Sequence, residues 1–335
     1  MTTLVQGEVV KLDRGFPLVE LEDGQRLRCE HAASLQKHGK VRACIGDKVE
    51  VELPDTHDMG VIEAIDERGN VLARKDPTDR AVAQIMAANF DKVLIVQPID
   101  HFNPTRLQRE LVMAHQSGAE VGVLLTKADL LPEEDVRSIV KQARELAGEG
   151  VTVMAISTRV ESEDNGVDAP RKVVTIFETS GPKAMDELFP ANTTTILLGS
   201  SGAGKSSLIN ALVGADLQLT SDVRAQDGKG RHTTVSREII TLPNGGRVVD
   251  MPGIRGVGLW DAEVGLSRAF ADIEELAEGC KFRDCTHTSE PKCAVRAAVE
   301  EGRLSQARLD YYLELKNEER TLAERREQAR WSSKR

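Results

Sequence analysis

The sequence has few aromatic residues, since Phe, Tyr and Trp together make up 3% of its 335 positions. It has no apolar run long enough to span a bilayer and no secretory leader, so we expect a cytoplasmic protein that does not associate with membranes. Basic residues are outnumbered, and the formal net charge is −10. This charge excludes a uniformly basic nucleic-acid binder but is compatible with local basic patches.

Cysteines are also few, and three of the five lie close together with a histidine. The spacing is C-x₄-C-x-H-x₅-C, which differs from that of DNA-binding fingers. Three thiolates and one imidazole form a closed ligand set typical of structural Zn²⁺, with no position left for a catalytic water. Three buried cysteines beside a surface histidine are the alternative interpretation. The predicted zinc ligands are Cys280, Cys285, His287 and Cys293.

A phosphate-binding loop of the form G-x-x-x-x-G-K-[ST] runs from Gly199 to Ser206. The apolar segment 194–198 before it predicts a buried strand, and the segment 207–212 after it predicts the start of a helix. Such a loop turns backbone N–H groups around phosphates, and the helix dipole adds positive potential. A chance glycine-rich turn is the alternative. The predicted ligands are Gly199, Gly202, Ala203, Gly204, Lys205 (β- and γ-phosphates), Ser206 (Mg²⁺) and Ser207.

A second motif, T-K-x-D, follows the apolar segment 120–125. The carboxylate of Asp129 can accept hydrogen bonds from both N1–H and the exocyclic amine of guanine, whereas adenine offers no such pair of donors. The stem of Lys127 packs along the base in this interpretation, and Thr126 completes the motif. Ser157, directly after the predicted strand 151–156, is a further candidate for contact with the base. A plain turn that caps a helix is the alternative interpretation.

A third motif, D-x-x-G, spans Asp250 to Gly253 at the end of a predicted hairpin around an Asn-Gly turn. Asp250 is expected to hold Mg²⁺ and the Gly253 N–H to meet the γ-phosphate. In an ordinary GTPase the phosphate loop comes first and the guanine motif later. Here the guanine motif precedes the phosphate loop and D-x-x-G comes last, which indicates a circular permutation.

The pattern of elements predicts three domains. Short alternating stretches at 7–12, 16–21, 26–30, 47–52 and 60–65 predict a small oligonucleotide-binding (OB) type β-barrel in residues 1–75, used for RNA binding or only for packing. Alternating strands and helices in residues 76–260 predict an α/β core with a mostly parallel sheet. Residues 261–335 are expected to form an α-helical zinc-binding domain that ends in a long helix.

These motifs together resemble the circularly permuted, ribosome small-subunit-dependent GTPases of the RsgA (YjeQ) family. The resemblance covers nearly the whole chain, including 45–49, 87–91, 201–210, 230–234 and the Cys/His cluster with the segment 290–295. It implies a GTP hydrolase that uses GTP/GDP, Mg²⁺ and one zinc ion. It also implies that a monomer binds the small ribosomal subunit and its rRNA during late maturation. The chain departs from the family pattern with Met251 where Thr is usual and Thr126 where Asn is usual.

The means of hydrolysis is expected to differ from that of GTPases with a Gln after D-x-x-G, because Ile254 occupies that position and cannot hydrogen-bond water. We therefore expect slow hydrolysis by the chain alone. His232 is the candidate to act on the water, with an inert loop histidine as the alternative, and Thr234 is favoured over Thr233 as the Mg²⁺ ligand. The predicted catalytic residues are His232, Lys205 and Thr234.

Two other classes of function compete with this hypothesis. A metabolic kinase or ATPase would also carry a phosphate loop, but Asp129 and the permuted order oppose it. An RNA-binding adaptor that uses nucleotide only for folding would not need complete Lys205, Ser206 and Asp250 positions. Preference for GTP over ATP and single-turnover release of phosphate discriminate among the three.

Overall fold

The structure is a computed structural model that describes residues 4–13, 16–37, 42–53, 59–76, 82–158, 174–177, 185–214, 237–251, 253 and 258–332. Its strands and helices reproduce the predicted architecture of a β-barrel, an α/β core and a helical C-terminal part. No helix among these residues is both long and apolar enough to cross a membrane.

The N-terminal part is a closed five-stranded barrel. Its strands follow the order β1-β2-β3-β5-β4, and β4 pairs back with β1 to close it. Side chains alternate along β2 and β4, so that Val19, Leu21, Val49 and Val51 fill the interior. The elements are Leu4–Asp13 (β1), Phe16–Leu21 (β2), Arg26–His31 (β3), Ala33–Lys37 (α1), Lys48–Glu52 (β4) and Gly60–Ile65 (β5).

A separate hairpin, Val71–Lys75 (β6) with Ala83–Ala88 (β7), follows the barrel and spans the predicted boundary between residues 75 and 76. Its Leu72 and Met86 join the main hydrophobic cluster of the chain. Gly46 packs so tightly here that a Cβ would lie 2.1 Å from the Ala88 carbonyl oxygen. The junction between barrel and core is therefore closely fitted.

The core is a twisted sheet in which five neighbouring strands run parallel, in the order β10-β9-β8-β12-β14. The antiparallel strands β11 and β13 flank them. The strands are Lys92–Pro98 (β8), Glu120–Thr126 (β9), Thr152–Ser157 (β10), Val174–Phe177 (β11), Thr194–Leu198 (β12), Arg237–Thr241 (β13) and Arg247–Asp250 (β14). The helices are Pro104–Gln116 (α2), Glu133–Ala147 (α3), Met185–Leu188 (α4) and Lys205–Val213 (α5).

Local sequence explains the start of α2. The Asn103 side chain accepts a hydrogen bond from the Arg106 N–H at 2.9 Å, and Pro104 occupies the first turn, where its missing N–H costs nothing. Strand β8 is buried along nearly its whole length because helices cover both faces of a parallel sheet. The carboxyl end of β8 is therefore held in a fixed position beneath the loops that follow β9 and β12.

The barrel is continuous with the core sheet. Strand β1 pairs antiparallel with β13 through Lys11 and Leu12, and the Lys11 ammonium lies 2.6 Å from the Glu238 carboxylate. Arg247 and Glu8 form a second ion pair at 2.5 Å. The two parts thus share one twelve-stranded sheet.

The C-terminal part is helical and packs on α2. Gly265 approaches α2 so closely that a Cβ would lie 2.1 Å from the Val112 carbonyl oxygen. Arg109 binds Glu318 at 2.6 Å, and the Tyr311 hydroxyl donates to the Thr105 carbonyl at 2.8 Å. The helices are Glu263–Ala269 (α6), Ala271–Ala277 (α7), Ala294–Glu300 (α8) and Gln306–Ser332 (α9).

Candidate functional site

The loop between β12 and α5 has the conformation that the phosphate-binding pattern requires. Gly202 and Gly204 have φ angles of 79° and 88°, in the left-handed region that favours glycine. Gly199 lies against β8, where a Cβ would be 2.2 Å from the Val96 carbonyl oxygen. Gly204 has no side chain to cap α5, so the first N–H groups of that helix face an anion-binding position.

Lys205 is buried within this loop. Its ammonium donates to the carbonyl oxygens of Gly199 at 2.9 Å and Ser200 at 2.8 Å. Burial lowers the pKa of Lys205 to about 8, while the carboxylates of Asp250 and Glu110 act in the opposite direction. The amine is thus held at the loop by carbonyl groups that phosphate oxygens can replace.

The guanine motif lies beside the phosphate loop. The Thr126 hydroxyl donates to the Ala203 carbonyl at 2.7 Å, so this side chain ties the two loops together. Lys127 has a left-handed backbone (φ 60°) that turns the chain into a short 3-10 helix, Ala128–Leu130. The hydroxyl of Ser157 donates to the Asp129 carboxylate at 2.7 Å. Ser157 therefore orients the carboxylate that the sequence assigns to the base.

The D-x-x-G segment meets the same edge of the sheet. Asp250 ends β14 and is in register with Leu197 of the parallel strand β12, which leads directly into the phosphate loop. Gly253 packs on that loop, since a Cβ there would lie 2.3 Å from the Ser201 nitrogen. The structure thus brings the three motifs together at the carboxyl ends of neighbouring strands, the usual ligand position in open α/β sheets.

Some predicted residues lie outside the part of the chain that the structure describes. His232, Thr233, Thr234 and Ile254 belong to this group, so their assigned roles stay predictions.

The second site is the Cys/His cluster between α7 and α8. One ligand atom from each of Cys280, Cys285, His287 and Cys293 lies within 4.8 Å of the other three. The two sulfurs of Cys280 and Cys293 are 3.8 Å apart, and they lie 3.7 and 3.4 Å from His287 Nδ1. Tetrahedral zinc requires separations of about 3.5 to 3.8 Å between such ligands, so this donor set fits the ion.

The cluster is supported by its surroundings. Cys293 also caps α8, where its sulfur accepts from the Arg296 N–H at 3.5 Å. Glu290 accepts from the Thr286 N–H at 2.9 Å and the Thr288 N–H at 3.1 Å, and bonds from Thr286 hold the pKa of this carboxyl at about 2. The Glu290 carboxylate thus holds the loop closed through these hydrogen bonds. The spacing of the ligands alone did not indicate this role.

Sequence reasoning missed two buried polar residues beneath the phosphate loop, Gln97 and Glu110. Gln97 ends the apolar strand β8, and a polar residue at that position was a usable signal. Glu110 lies within a regular helical pattern, so its burial could not be predicted.

Comparison with known proteins gives consistent matches. Residues 65–260 match the RsgA GTPase family. The chain is 40% identical over 317 residues to the small ribosomal subunit biogenesis GTPase RsgA of Streptomyces avermitilis, covering 94% of this chain and 80% of that protein. It is 41% identical over 275 residues to the small ribosomal subunit biogenesis GTPase RsgA 2 of Listeria monocytogenes, covering 82% and 71%.

Solved structures match over almost the whole chain. The crystal structure of YjeQ from Thermotoga maritima is similar with a TM-score of 0.62 and 25% identity, covering 93% of this chain and 97% of that one. The structure of YloQ, described as a circularly permuted GTPase, has a TM-score of 0.57 and 26% identity, covering 97% and 96%.

Proposed function

The chain belongs to the RsgA GTPase family, and from this membership we propose that it hydrolyses GTP in late maturation of the small ribosomal subunit, with the subunit stimulating hydrolysis. The observation that carries the proposal is the meeting of the three nucleotide motifs at one sheet edge, in permuted order. Relatives named for small-subunit biogenesis supply the biological setting.

Each residue of the candidate site has a proposed role in nucleotide binding or hydrolysis. Asp129, oriented by Ser157, reads the guanine, and Lys205 offsets the charge of the β- and γ-phosphates. Ser206, Asp250 and Thr234 would hold Mg²⁺, which would draw negative charge from the phosphate oxygens when it is bound. The Gly253 N–H binds the γ-phosphate in this proposal. Water attacks the γ-phosphorus and GDP leaves, so that the products are GDP and phosphate.

The flanking parts supply the contacts with the subunit. We propose boundaries at 1–75, 76–260 and 261–335, with the barrel and the zinc domain binding rRNA on either side of the GTPase. Basic residues near the end of the chain, Arg325, Arg330 and Lys334, are the candidates for contact with the phosphate backbone in this proposal. Since small subunits are assembled in the bacterial cytoplasm, we place the protein there, as a monomer.

Hydrolysis is expected to be slow in the chain alone and faster with purified small subunits. The physical reason is that Ile254 cannot hydrogen-bond water, so that another group, proposed to be His232, must be positioned for the reaction by the bound subunit. The measurement is single-turnover phosphate release from GTP with and without small subunits, with large subunits and ATP as controls. No stimulation of the wild type would contradict the proposed mechanism.

His232→Ala tests the proposed catalytic group. We expect the small subunit to increase the hydrolysis rate of the variant about 100-fold less than it increases that of the wild type. Positioned proton-transfer groups contribute on the order of 10² to 10⁴ in rate. Gln226→Ala, six positions earlier in the sequence and without a predicted role, is the matched control and should keep the stimulation. Equal stimulation of His232→Ala and wild type would leave His232 without a catalytic role.

A further inference from the structure

The loop between α7 and α8 carries an exposed aromatic ring that has no part in the chemistry described so far. The side chain of Phe282 is 39% exposed, although burial of such a ring stabilises a folded protein. Phe282 belongs to none of the hydrophobic clusters among the described residues. A single exposed apolar side chain is ordinary on a protein surface, so the surroundings of the ring decide whether it has a function.

The backbone of the loop is held in place next to this ring. The Phe282 carbonyl accepts a hydrogen bond from the Cys285 N–H at 3.3 Å, and the Lys292 carbonyl accepts one from the Lys281 N–H at 3.3 Å. His287 is buried at the base of the loop. The loop therefore presents the ring to solvent in a defined position, which lowers the entropic cost of binding a partner there.

Basic side chains accompany the ring. The Lys281 ammonium lies 5.1 Å from the centroid of the Phe282 ring, which is a cation–π contact. Arg283 follows the ring directly in sequence, and Lys292 is hydrogen-bonded to Lys281 through the backbone; both side chains are exposed. No carboxylate of the described residues forms an ion pair with any of these three cations. Their charge is thus available to an anionic partner.

The acidic residues of the loop leave this charge in place. Glu290 accepts hydrogen bonds from the N–H groups of Thr286, Thr288 and Ser289, so its carboxylate is used by the backbone of the loop itself. Asp284 is the other carboxylate between the first and last cysteines of the cluster. The loop therefore combines a free aromatic face with three cations against one carboxylate that is not used within the loop.

We propose that Phe282 stacks on an unpaired base of single-stranded rRNA, and that Lys281, Arg283 and Lys292 bind the phosphates next to that base. Every base has a π face that an aromatic side chain can cover, and cations follow the phosphate backbone. Bases inside a duplex are already stacked on each other, so the partner is a single-stranded loop or strand end. This inference rests on the proposed function, and it assigns the RNA contact of the zinc domain to one surface and one kind of RNA.

Binding of the full chain to a labelled single-stranded oligoribonucleotide of mixed sequence and about ten nucleotides, at several salt concentrations, separates stacking from charge. Phe282→Leu keeps an apolar side chain but removes the π face. We expect its affinity to be at least about fivefold weaker than that of the wild type, with the same salt dependence. Phe282→Trp keeps a π face and should bind at least as tightly as the wild type.

Lys281→Gln tests the phosphate contact in the same assay. The slope of log affinity against log salt concentration should become shallower by about 0.7, the value for one phosphate contact on a single strand. Lys141→Gln, which removes an exposed cation of α3, is the matched control and should leave the slope unchanged.

Two further controls keep the Phe282 result specific. Val264→Ala shortens an exposed apolar side chain of α6 and should bind the oligoribonucleotide as the wild type does. An RNA duplex of the same length should bind Phe282→Leu and the wild type equally, because its bases offer no free face. Zinc content and thermal unfolding equal to those of the wild type identify variants in which the loop is intact.

The outcomes separate the inference from the proposed function. An intact Phe282→Leu that binds the oligoribonucleotide as tightly as the wild type overturns the stacking role, and an unchanged slope in Lys281→Gln overturns the phosphate contact. Weaker binding of Phe282→Leu to small subunits without weaker binding to the oligoribonucleotide assigns the surface to a ribosomal protein, which also contradicts the inference. A wild type that binds small subunits but not the oligoribonucleotide overturns the inference alone. A wild type that binds neither overturns the proposed function.

Discussion

The Asp129→Asn protein is expected to bind GTP about a hundredfold more weakly than the wild type, and to bind xanthosine triphosphate more tightly than the wild type does. Asp129 is held by Ser157 at 2.7 Å, so its orientation does not depend on the nucleotide. An asparagine there presents an N–H group to the guanine amine, which leaves two donors facing each other. Xanthine has a carbonyl at that ring position, so it accepts the new donor.

Equilibrium binding of GTP, xanthosine triphosphate and ATP to both proteins measures this change. Asp135→Asn is the matched control, because it makes the same substitution at an exposed position in the first turn of α3. It should leave all three affinities as they are in wild type. Unchanged GTP affinity in Asp129→Asn would refute the assignment of guanine recognition to this carboxylate.

The second large effect is expected from removal of the metal. Structural zinc contributes on the order of 10 kcal/mol or more to the folding of small metal domains. Cys285→Ala should therefore reduce zinc from one ion per chain to a small fraction and unfold the segment around α8 and α9. The core should persist, because β8, β9 and β12 form a sheet with its own hydrophobic contacts.

Metal analysis of freshly purified protein and hydrogen exchange of the backbone amides measure the two parts of this prediction. Protection should fall in Ala294–Glu300 and Gln306–Ser332 and remain in Lys92–Pro98. Cys29→Ala, which removes a buried thiol of the barrel, is the control and should retain the zinc. Wild-type protein without zinc, or unchanged protection in Cys285→Ala, would contradict the structural role of the metal.

Features that depend on neighbouring residues could be predicted from the sequence. The start of α2 follows from the Asn103 cap and Pro104, and the turn between β13 and β14 follows from Asn244-Gly245, where Gly245 has a φ angle of 84°. The Cys/His cluster that could hold a metal ion and the nucleotide motifs could be recognised in the same way, because each combines residue types and spacings that the chemistry requires. Their meeting at one sheet edge follows from the strands that precede them.

Features that join distant residues could not be predicted. The ion pair between Lys11 and Glu238 links residues 227 positions apart, and neither residue carries a local signal of that pairing. The same holds for the contact of Arg109 with Glu318, which anchors α9 on α2. Glu110 is a glutamate on an amphipathic helix, and only tertiary packing determines that it is buried. The positions around a motif are thus harder to predict than the motif itself.

The strand order also affects how the protein forms during synthesis. Strand β8 is central in the finished sheet, yet its neighbour β12 follows about a hundred residues later, as the pairing of Leu94 with Leu197 shows. At a translation rate of roughly 5 to 20 residues per second, the edge of β8 that pairs with β12 stays unpaired for roughly 5 to 20 s. During that interval an apolar strand presents unpaired backbone groups to other nascent chains. In this permuted order the nucleotide pocket is complete only after Gly253 has been synthesised, about three quarters of the way along the chain.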